Sequence, residues 1–366
     1  MNILHLQLEK SWGGGGVQML SLHNEFTNHF PDVSGSFFCK KNSVLHEKCK
    51  LYNYNFFATP MVLKFSVLAI FKLIKVLKTN KFDIIHIHGS TALTLFALTN
   101  FFHKTPPGLF HKKTSFKIKD KPFTRYKYNH PNLKKIVCVS SFAKQISLQA
   151  ITDKNKLKVV YDGIKIPNQI EQHEIQIRNI YNLNSEIKII GHIGNHIKAK
   201  DLDTLINTVD ETINKRKEKN ICFVQIGKHS KLTENHMLKV QELKLEKHLK
   251  FMGQIDNAAA LINQFDCFLM TSKSEGIPLV IFESFFNKVP VVSTNAGGIG
   301  EIIINKVNGY ISNIGDYQNL ANQIITLVNS PKLSDEFTER SFQKLIPNFT
   351  IQTMAKNMLN VYNEIK

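Results

Sequence analysis

Two carboxylates, Glu275 and Glu283, flank the run Gly276-Ile277-Pro278-Leu279-Val280-Ile281-Phe282. Proline suits the first turn of a helix, so a helix starting near Pro278 leaves Glu275 in the loop ahead and carries Glu283 in its second turn. The free N–H groups of that first turn, around Leu279 and Val280, join the positive end of the helix dipole in a site suited to a phosphate or diphosphate. A nucleotide-sugar carries such a group at its middle. Glu283 is then placed to accept hydrogen bonds from ribose hydroxyls, while Glu275 and the backbone around Gly276 hold a sugar through directional, charge-assisted bonds. A pair of glutamates on an arbitrary loop and helix would mean nothing; the Gly-Ile-Pro between these two gives them their geometry.

Side chains used this way need a rigid frame. Residues 3–8 read as a short buried strand, and Gly13 to Gly16 interrupt the chain before an apolar-periodic stretch through Val17, Leu20 and Leu22: strand, glycine loop, helix. The alternation continues with strands over 36–39, 84–87 and 136–139 and helices over 63–77 and 93–102, and Ser140-Ser141 supplies a helix N-cap. After the turn Asp162-Gly163 and a polar segment at 167–177, a second series begins. Its strands read at 187–193, 222–226, 249–251, 267–270 and 289–293, with helices around 202–213, 238–245 and 258–265. Nearly continuous apolar strands alternating with helices predict parallel sheets covered on both faces, so the expected class is α/β with two doubly wound domains. The boundaries are predicted at 1–165 and 166–345, with a last helix inside 346–366. In such sheets ligands bind beyond the carboxyl ends of the strands, where strand order reverses, so the loops after strands are the ones that matter.

The segment from Glu275 to Glu283 resembles the E-x7-E signature of the retaining family 4 glycosyltransferases, which have the GT-B fold of two such domains facing each other across a cleft. Further matches follow in the family's order: Gly15-Gly16-Val17-Gln18, Asp83 to His88, Val139-Ser140-Ser141, Asp162-Gly163, Gly194 to Lys200, Phe251-Met252-Gly253-Gln254, Gly297 to Glu301 and Asn308-Gly309-Tyr310. Singly these are weak; their order and spacing make the likeness, which spans nearly the whole chain. The resemblance implies that Gly15 and Gly16 let the backbone approach the donor phosphates and that Lys200 neutralises the diphosphate. Asn195 stands where the family usually has arginine. It further implies donor contacts at Ile255 and along 275–280, a contact of His111 with the transferred sugar, and no protein nucleophile. The implied reaction moves a hexose or N-acetylhexosamine from a nucleoside-diphosphate sugar, UDP-sugar first, to a saccharide or glycolipid acceptor in cell-surface polysaccharide or lipopolysaccharide assembly. Asn195 alone favours the alternative of a non-catalytic nucleotide-sugar sensor.

Neither a metal nor another cofactor is expected. His86 and His88 share one strand face, but no third ligand is apparent. His192 and His196 have helical ligand spacing yet sit between Gly191 and Gly194, on a strand-to-loop segment. Asp201-Leu202-Asp203 resembles a metal-binding Asp-x-Asp but opens a helix and is expected to cap it.

The net charge of +18 is unevenly spread. Residues 1–165 hold 25 Lys and Arg against 8 Asp and Glu, a surplus of 17, and the remaining residues are nearly balanced. The first domain should therefore meet something anionic, such as a membrane face or a phosphorylated acceptor, and Lys64, Lys72, Lys75 and Lys78 fall on one side of a helix. Nucleic acid is not expected, because no zinc finger, aromatic RNA-binding signature or basic helical repeat accompanies the charge. Five cysteines without a C-x-x-C pair argue against a disulfide framework, and the opening residues lack the pattern of a signal peptide. The expected location is the cytoplasm, with attachment to the inner membrane face.

Overall fold

Every apolar run that the sequence marks as a buried strand pairs in parallel with its neighbours. The computed structural model describes residues 1–10, 12–61, 66–167, 169 and 172–366. The chain divides into two units, Met1–Lys165 with Ile351–Lys366, and Ile166–Thr350. The first unit holds β1 (Asn2–Gln7), β2 (Ser34–Lys40), β3 (Phe56–Thr59), β4 (Ile84–His88), β5 (Gly108–Lys112), β6 (Leu133–Cys138) and β7 (Leu157–Val159), in the order β3-β2-β1-β4-β5-β6-β7. The second holds β8 (Lys188–Ile193), β9 (Ile221–Ile226), β10 (Leu249–Phe251), β11 (Cys267–Met270), β12 (Val291–Thr294) and β13 (Tyr310–Ser312), in the order β10-β9-β8-β11-β12-β13. The order reverses between β1 and β4 in one sheet and between β8 and β11 in the other, and those two reversals are where such sheets bind ligands. β3 and β13 are too short to show a period in the sequence.

The helix Gly14–His29 begins inside the glycine run and turns Leu22 and Phe26 onto the first sheet. Its neighbour is the last helix of the chain, Ile351–Asn363, whose buried Ile351, Met354, Ala355, Met358, Val361 and Tyr362 recur at helical spacing. Each large side chain so buried contributes roughly 1.5–3 kcal/mol, which anchors a segment remote in sequence onto β1, β4 and β5. The preceding helix, Pro331–Asn348, belongs to the second unit, so the chain passes between units at Thr350 and Ile351 rather than at 345.

In the second unit the helix Leu202–Asp210 buries Leu202, Leu205, Ile206 and Val209 against Ile190, Phe223 and Leu269. The helix Leu279–Phe286 is fixed by Phe282, fully buried and stacked on Phe349 with ring centroids 4.6 Å apart. All five cysteines are buried and free. Among the described residues no helix is long and apolar enough to cross a membrane. The helix Val67–Thr79 exposes Lys72, Lys75 and Lys78; Lys64 lies outside the described residues.

Tyr362 does more than fill space, because its hydroxyl lies 2.7 Å from His86 Nδ1 on β4. Tyr362→Phe keeps the ring and strands a buried polar atom, so we expect a loss of about 1–3 kcal/mol in urea unfolding; an unchanged midpoint would remove this bond from the account of how the last helix is held.

Candidate functional site

The loops after β8 and β11 bring the sequence-predicted groups of the second unit together. Lys200 Nζ donates to Glu275 Oε1 at 2.7 Å, and Ser272 Oγ donates to the same oxygen at 2.7 Å. Both charged side chains are largely covered. The loops are also tied through the backbone: Thr271 Oγ1 donates to the Lys200 carbonyl at 2.9 Å and Lys273 N to the Ala199 carbonyl at 2.8 Å. Gly276 is linked to the loop after β12, its carbonyl accepting from Gly298 N at 3.1 Å. Four residues after Glu275 the helix Leu279–Phe286 begins, with Pro278 as its N-cap in extended conformation. Leu279 and Val280 occupy its first turn, where N–H groups have no intrahelical acceptor, and no other acceptor is found for them among the described residues.

Glu283 sits one turn further, about 6 Å along the axis at helical rise. Its carboxyl has no hydrogen bond or ion pair with any described residue, and burial pushes its pKa up to about 7. An uncompensated carboxylate in a covered position is costly unless a ligand satisfies it. Asn195 uses its Oδ1 to accept from Lys228 N at 3.0 Å, which fixes the loop after β9. Ile255 follows β10 in the corresponding loop and is half-buried.

His192 and His196 do not form a metal pair. His196 is buried between Gln225 Oε1, 2.7 Å from Nε2, and Thr233 Oγ1, 2.8 Å from Nδ1. His192 is buried in β8, and burial lowers its pKa to about 3. Asp201 occupies the N-cap position of its helix but makes no capping bond to the backbone; its carboxylate instead accepts from Thr204 Oγ1 at 2.6 Å and pairs with Lys273 Nζ at 2.8 Å.

In the first unit a cavity of about 500 Å³ opens at the reversal between β1 and β4. Gly15, Gly16, His88, Gly89 and His111 line it, with Lys112 and Lys113 from the end of β5. Close approach calls for glycine at Gly16, where a Cβ would stand 2.8 Å from the Trp12 ring, whereas a Cβ on Gly15 would stand 3.1 Å from Lys113 Cδ, in a side chain that can give way. Lys113 Nζ donates to the Gly15 carbonyl at 2.6 Å. His111 is buried with neither ring nitrogen hydrogen-bonded, 4.0 Å from Asp162 Oδ1. Burial, with Lys113 nearby, holds its pKa well below the usual imidazole value, so the ring is neutral. Burial likewise raises Asp162 to about 6.

The expectation that no third ligand stands near His86 and His88 needs correction. Parallel pairing of β1 with β4 sets His5 opposite His86, and the ligand atoms of His5, His86 and His88 lie within 4.8 Å of one another. His5 Nδ1 is 3.2 Å from His88 Nε2, and burial keeps all three well below the usual imidazole pKa. Sequence could not show this, because the third imidazole is 81 residues away and only strand register reveals it. Ser272 and Asp162 were also missed as site groups. The first is an ordinary serine beside a loop, and the second reads as a turn residue until its burial is seen.

Since Glu283 titrates near 7 when folded against a usual 4.5, its ionisation opposes folding: the stability it supplies is complete below about pH 4.5 and is lost as the pH rises through 7. Glu283→Gln should therefore melt above the parent at pH 8, by up to about 3 kcal/mol of stability, and alongside it at pH 4.5. Equal shifts at both pH values in calorimetry would contradict the burial of that carboxyl.

Comparison with known proteins identifies the family. The family model described as Glycosyltransferase Family 4 matches residues 12–166, and that described as Glycosyl transferases group 1 matches residues 173–344. The N-acetyl-alpha-D-glucosaminyl L-malate synthase of Bacillus anthracis is 25% identical over 209 residues, 57% of this chain and 54% of that protein. The poly(ribitol-phosphate) alpha-N-acetylglucosaminyltransferase of Staphylococcus aureus is 22% identical over 301 residues, 81% of this chain and 58% of that protein. The chain thus spans little more than half the length of either relative. The structure of Anabaena HepE in complex with UDP and glucose superposes with a TM-score of 0.85 at 17% identity, covering 100% of both chains. With two family models in tandem along the chain and two parallel sheets flanked by helices, this protein belongs to the family 4 type of glycosyltransferases and has their GT-B fold.

Proposed function

We propose that the protein transfers a hexose or N-acetylhexosamine from a UDP-sugar to a saccharide or glycolipid acceptor, with retention of configuration and without a metal. The observation that carries this reading is the Lys200–Glu275 pair at the sheet reversal, placed just ahead of a helix whose first turn offers free N–H groups and whose second turn offers the unpaired Glu283. A diphosphate arriving at Lys200 competes with Glu275 for the ammonium. Glu275 is then released to accept from hydroxyls of the transferred sugar, and Glu283 accepts from ribose hydroxyls. The HepE complex with UDP and glucose supports uridine as the base, and the two relatives, both named for N-acetylglucosaminyl transfer, support a hexosamine. The polymer acceptor in one of those names supports a role in cell-surface polysaccharide or lipopolysaccharide assembly.

In the reaction the bond from the anomeric carbon to the diphosphate oxygen breaks while one to the acceptor oxygen forms on the same face, and the acceptor proton passes to the departing phosphate. Charge accumulates on the leaving group, so Lys200 and the N–H groups of Leu279 and Val280 stabilise the transition state more than the bound donor, which is what lowers the barrier. Gly15 and Gly16 admit the donor phosphates close to backbone, and His111, held neutral, offers a ring nitrogen to a sugar hydroxyl. Asn195 supplies no charge, which leaves Lys200 as the principal cation.

Lys200→Ala should lower kcat for nucleoside diphosphate release about 10²–10³-fold, and Glu283→Ala should act mainly on the donor KM. A sensor of the same fold would bind donor in calorimetry and release nothing with any acceptor, and that result would replace the transferase reading. The outer face of the helix Val67–Thr79 combines exposed Leu68 and Phe71 with Lys72, Lys75 and Lys78, the composition of a helix that rests on an anionic membrane surface. Vesicles containing anionic lipid should sediment the protein and neutral vesicles should not, with Phe71→Asp abolishing the difference; no sedimentation at low salt would refute the attachment.

A further inference from the structure

We infer that His5, His86 and His88 form a binding site for one divalent transition-metal ion, Zn2+ before others, which clamps β1 to β4 in the first unit. The site goes beyond the transferase reading. There the charge on the leaving diphosphate is met by Lys200 and a helix terminus of the second unit, so this ion has no part in the transfer step and is structural.

Strand geometry assembles the ligands. Alternate residues of a strand share a face and neighbouring strands lie about 4.8 Å apart, so pairing His5 with His86 and Gln7 with His88 sets three imidazoles on one face at the strand reversal. The ring centroids of His86 and His88 are 4.1 Å apart, and that of His5 is 5.3 Å and 5.5 Å from them. Zn–N bonds of about 2.0–2.1 Å in a tetrahedral site place donor nitrogens roughly 3.3 Å apart. His5 Nδ1 and His88 Nε2 stand at 3.2 Å. One ligand atom from each of the three lies within 4.8 Å of the others, so closing the set calls for shifts of at most about 1.5 Å.

The bonding around the triad points to the same ligand. His86 Nε2 is buried without a hydrogen-bond partner, while its other nitrogen lies 2.7 Å from the Tyr362 hydroxyl. Metal-bound histidines are oriented in this way, the remote nitrogen held by a second group and the near one left for the ion. Buried polar atoms are normally satisfied, and nothing within the triad satisfies this one. Three imidazoles suit Zn2+, Cu2+ or Ni2+ and not the oxygen-seeking Mg2+ and Ca2+. Gln7, opposite His88 in register, has a buried and unpartnered Oε1 to supply the fourth position. His88 lines the cavity of the first unit, which gives an ion its way in.

The charges facing the site leave room for a cation. Lys112 donates to Thr114 Oγ1 at 2.9 Å and to the Phe116 carbonyl at 2.8 Å, and so holds the loop after β5. Lys117 and Lys119 are exposed and form no ion pair with any described residue. Lys113 is the lysine whose charge acts on all three histidines, and the buried carboxyl of Asp162 acts on Lys113 in turn. That acid offsets the ammonium, and the neutral imidazoles meet the ion with lone pairs.

Isothermal titration of the full-length, chelator-treated protein with ZnCl2 should give one ion per chain, and saturating Zn2+ should raise the melting temperature. Co2+ in place of Zn2+ should show the intense visible absorption of a four-coordinate site. His5→Phe keeps a ring against Phe37 and removes a ligand, so affinity should fall at least about 100-fold, beyond the loss from a supporting group. Tyr362→Phe keeps all three ligands and should weaken binding about 10–100-fold, which loss of a merely space-filling hydroxyl would not do. His229→Ala changes an exposed histidine of the second unit and should leave Zn2+ affinity unchanged. The site is refuted if Zn2+ does not bind, if His5→Phe binds it as the parent does, if His229→Ala abolishes binding, or if Co2+ gives the weak spectrum of an octahedral ion. Should His5→Phe fail to fold, the Co2+ spectrum and Tyr362→Phe still decide. Nucleoside diphosphate release below the melting temperature should be equal with and without Zn2+; its loss on chelation would overturn the structural role. Absence of release under both conditions would reject the transferase reading and leave the metal site standing.

Discussion

In a parallel sheet all strands end on the same edge, and where the strand order reverses, the two adjacent loops leave in opposite directions and open a space between them. Each sheet of this protein contains one such reversal, between β1 and β4 and between β8 and β11. The groups with chemistry to offer fall at those places. Gly15, Gly16 and His88 follow β1 and close β4 in one unit; Lys200 and Glu275 follow β8 and β11 in the other. Nothing about the side chains alone would bring Lys200 within 2.7 Å of a carboxylate 75 residues later. The parallel pairing does so, by making both loops leave the same edge.

The electrostatics follow from that placement. In the second unit the cation and one acid neutralise each other, while Glu283 stays unpaired under a cover that disfavours its charge. In the first unit the imbalance runs the other way: histidines are buried neutral, Asp162 is pushed up by burial, and lysines border the cavity without ion-pair partners. Such unsatisfied groups reduce stability, so the surrounding frame has to be secure. The fully buried Phe282 stacked on Phe349 and the Tyr362 hydroxyl on His86 are two of the contacts that make it so. Both reach from the end of the chain back to elements beneath the sites, and the chain's last hundred residues thus support groups contributed by its first hundred and its middle.

The fold was legible because a doubly wound sheet writes itself locally. Strands of five or six residues between helical periods are visible in β1, β4, β8 and β9 without any knowledge of partners, whereas β3 and β13 are too short to carry a period. The Glu275 to Glu283 segment was legible for the same reason, since loop, N-cap and helix lie within nine consecutive residues and their relation is set by the chain's own geometry. The third histidine was not, nor the buried state of Asp162, nor the diversion of Lys112 into holding a loop.

The amino-acid sequence by itself determined the α/β alternation, the helix start at Pro278, the glycine run before the first helix and the concentration of positive charge in the first 165 residues. All of these depend on neighbours in the chain, so propensity and spacing suffice. Only the tertiary structure decided which charges meet and which stay unpaired: Lys200 with Glu275, Lys112 with its own loop, Lys117 and Lys119 with neither. Those outcomes depend on strand register and on the exclusion of water, which arise when distant segments pack and which no local pattern encodes.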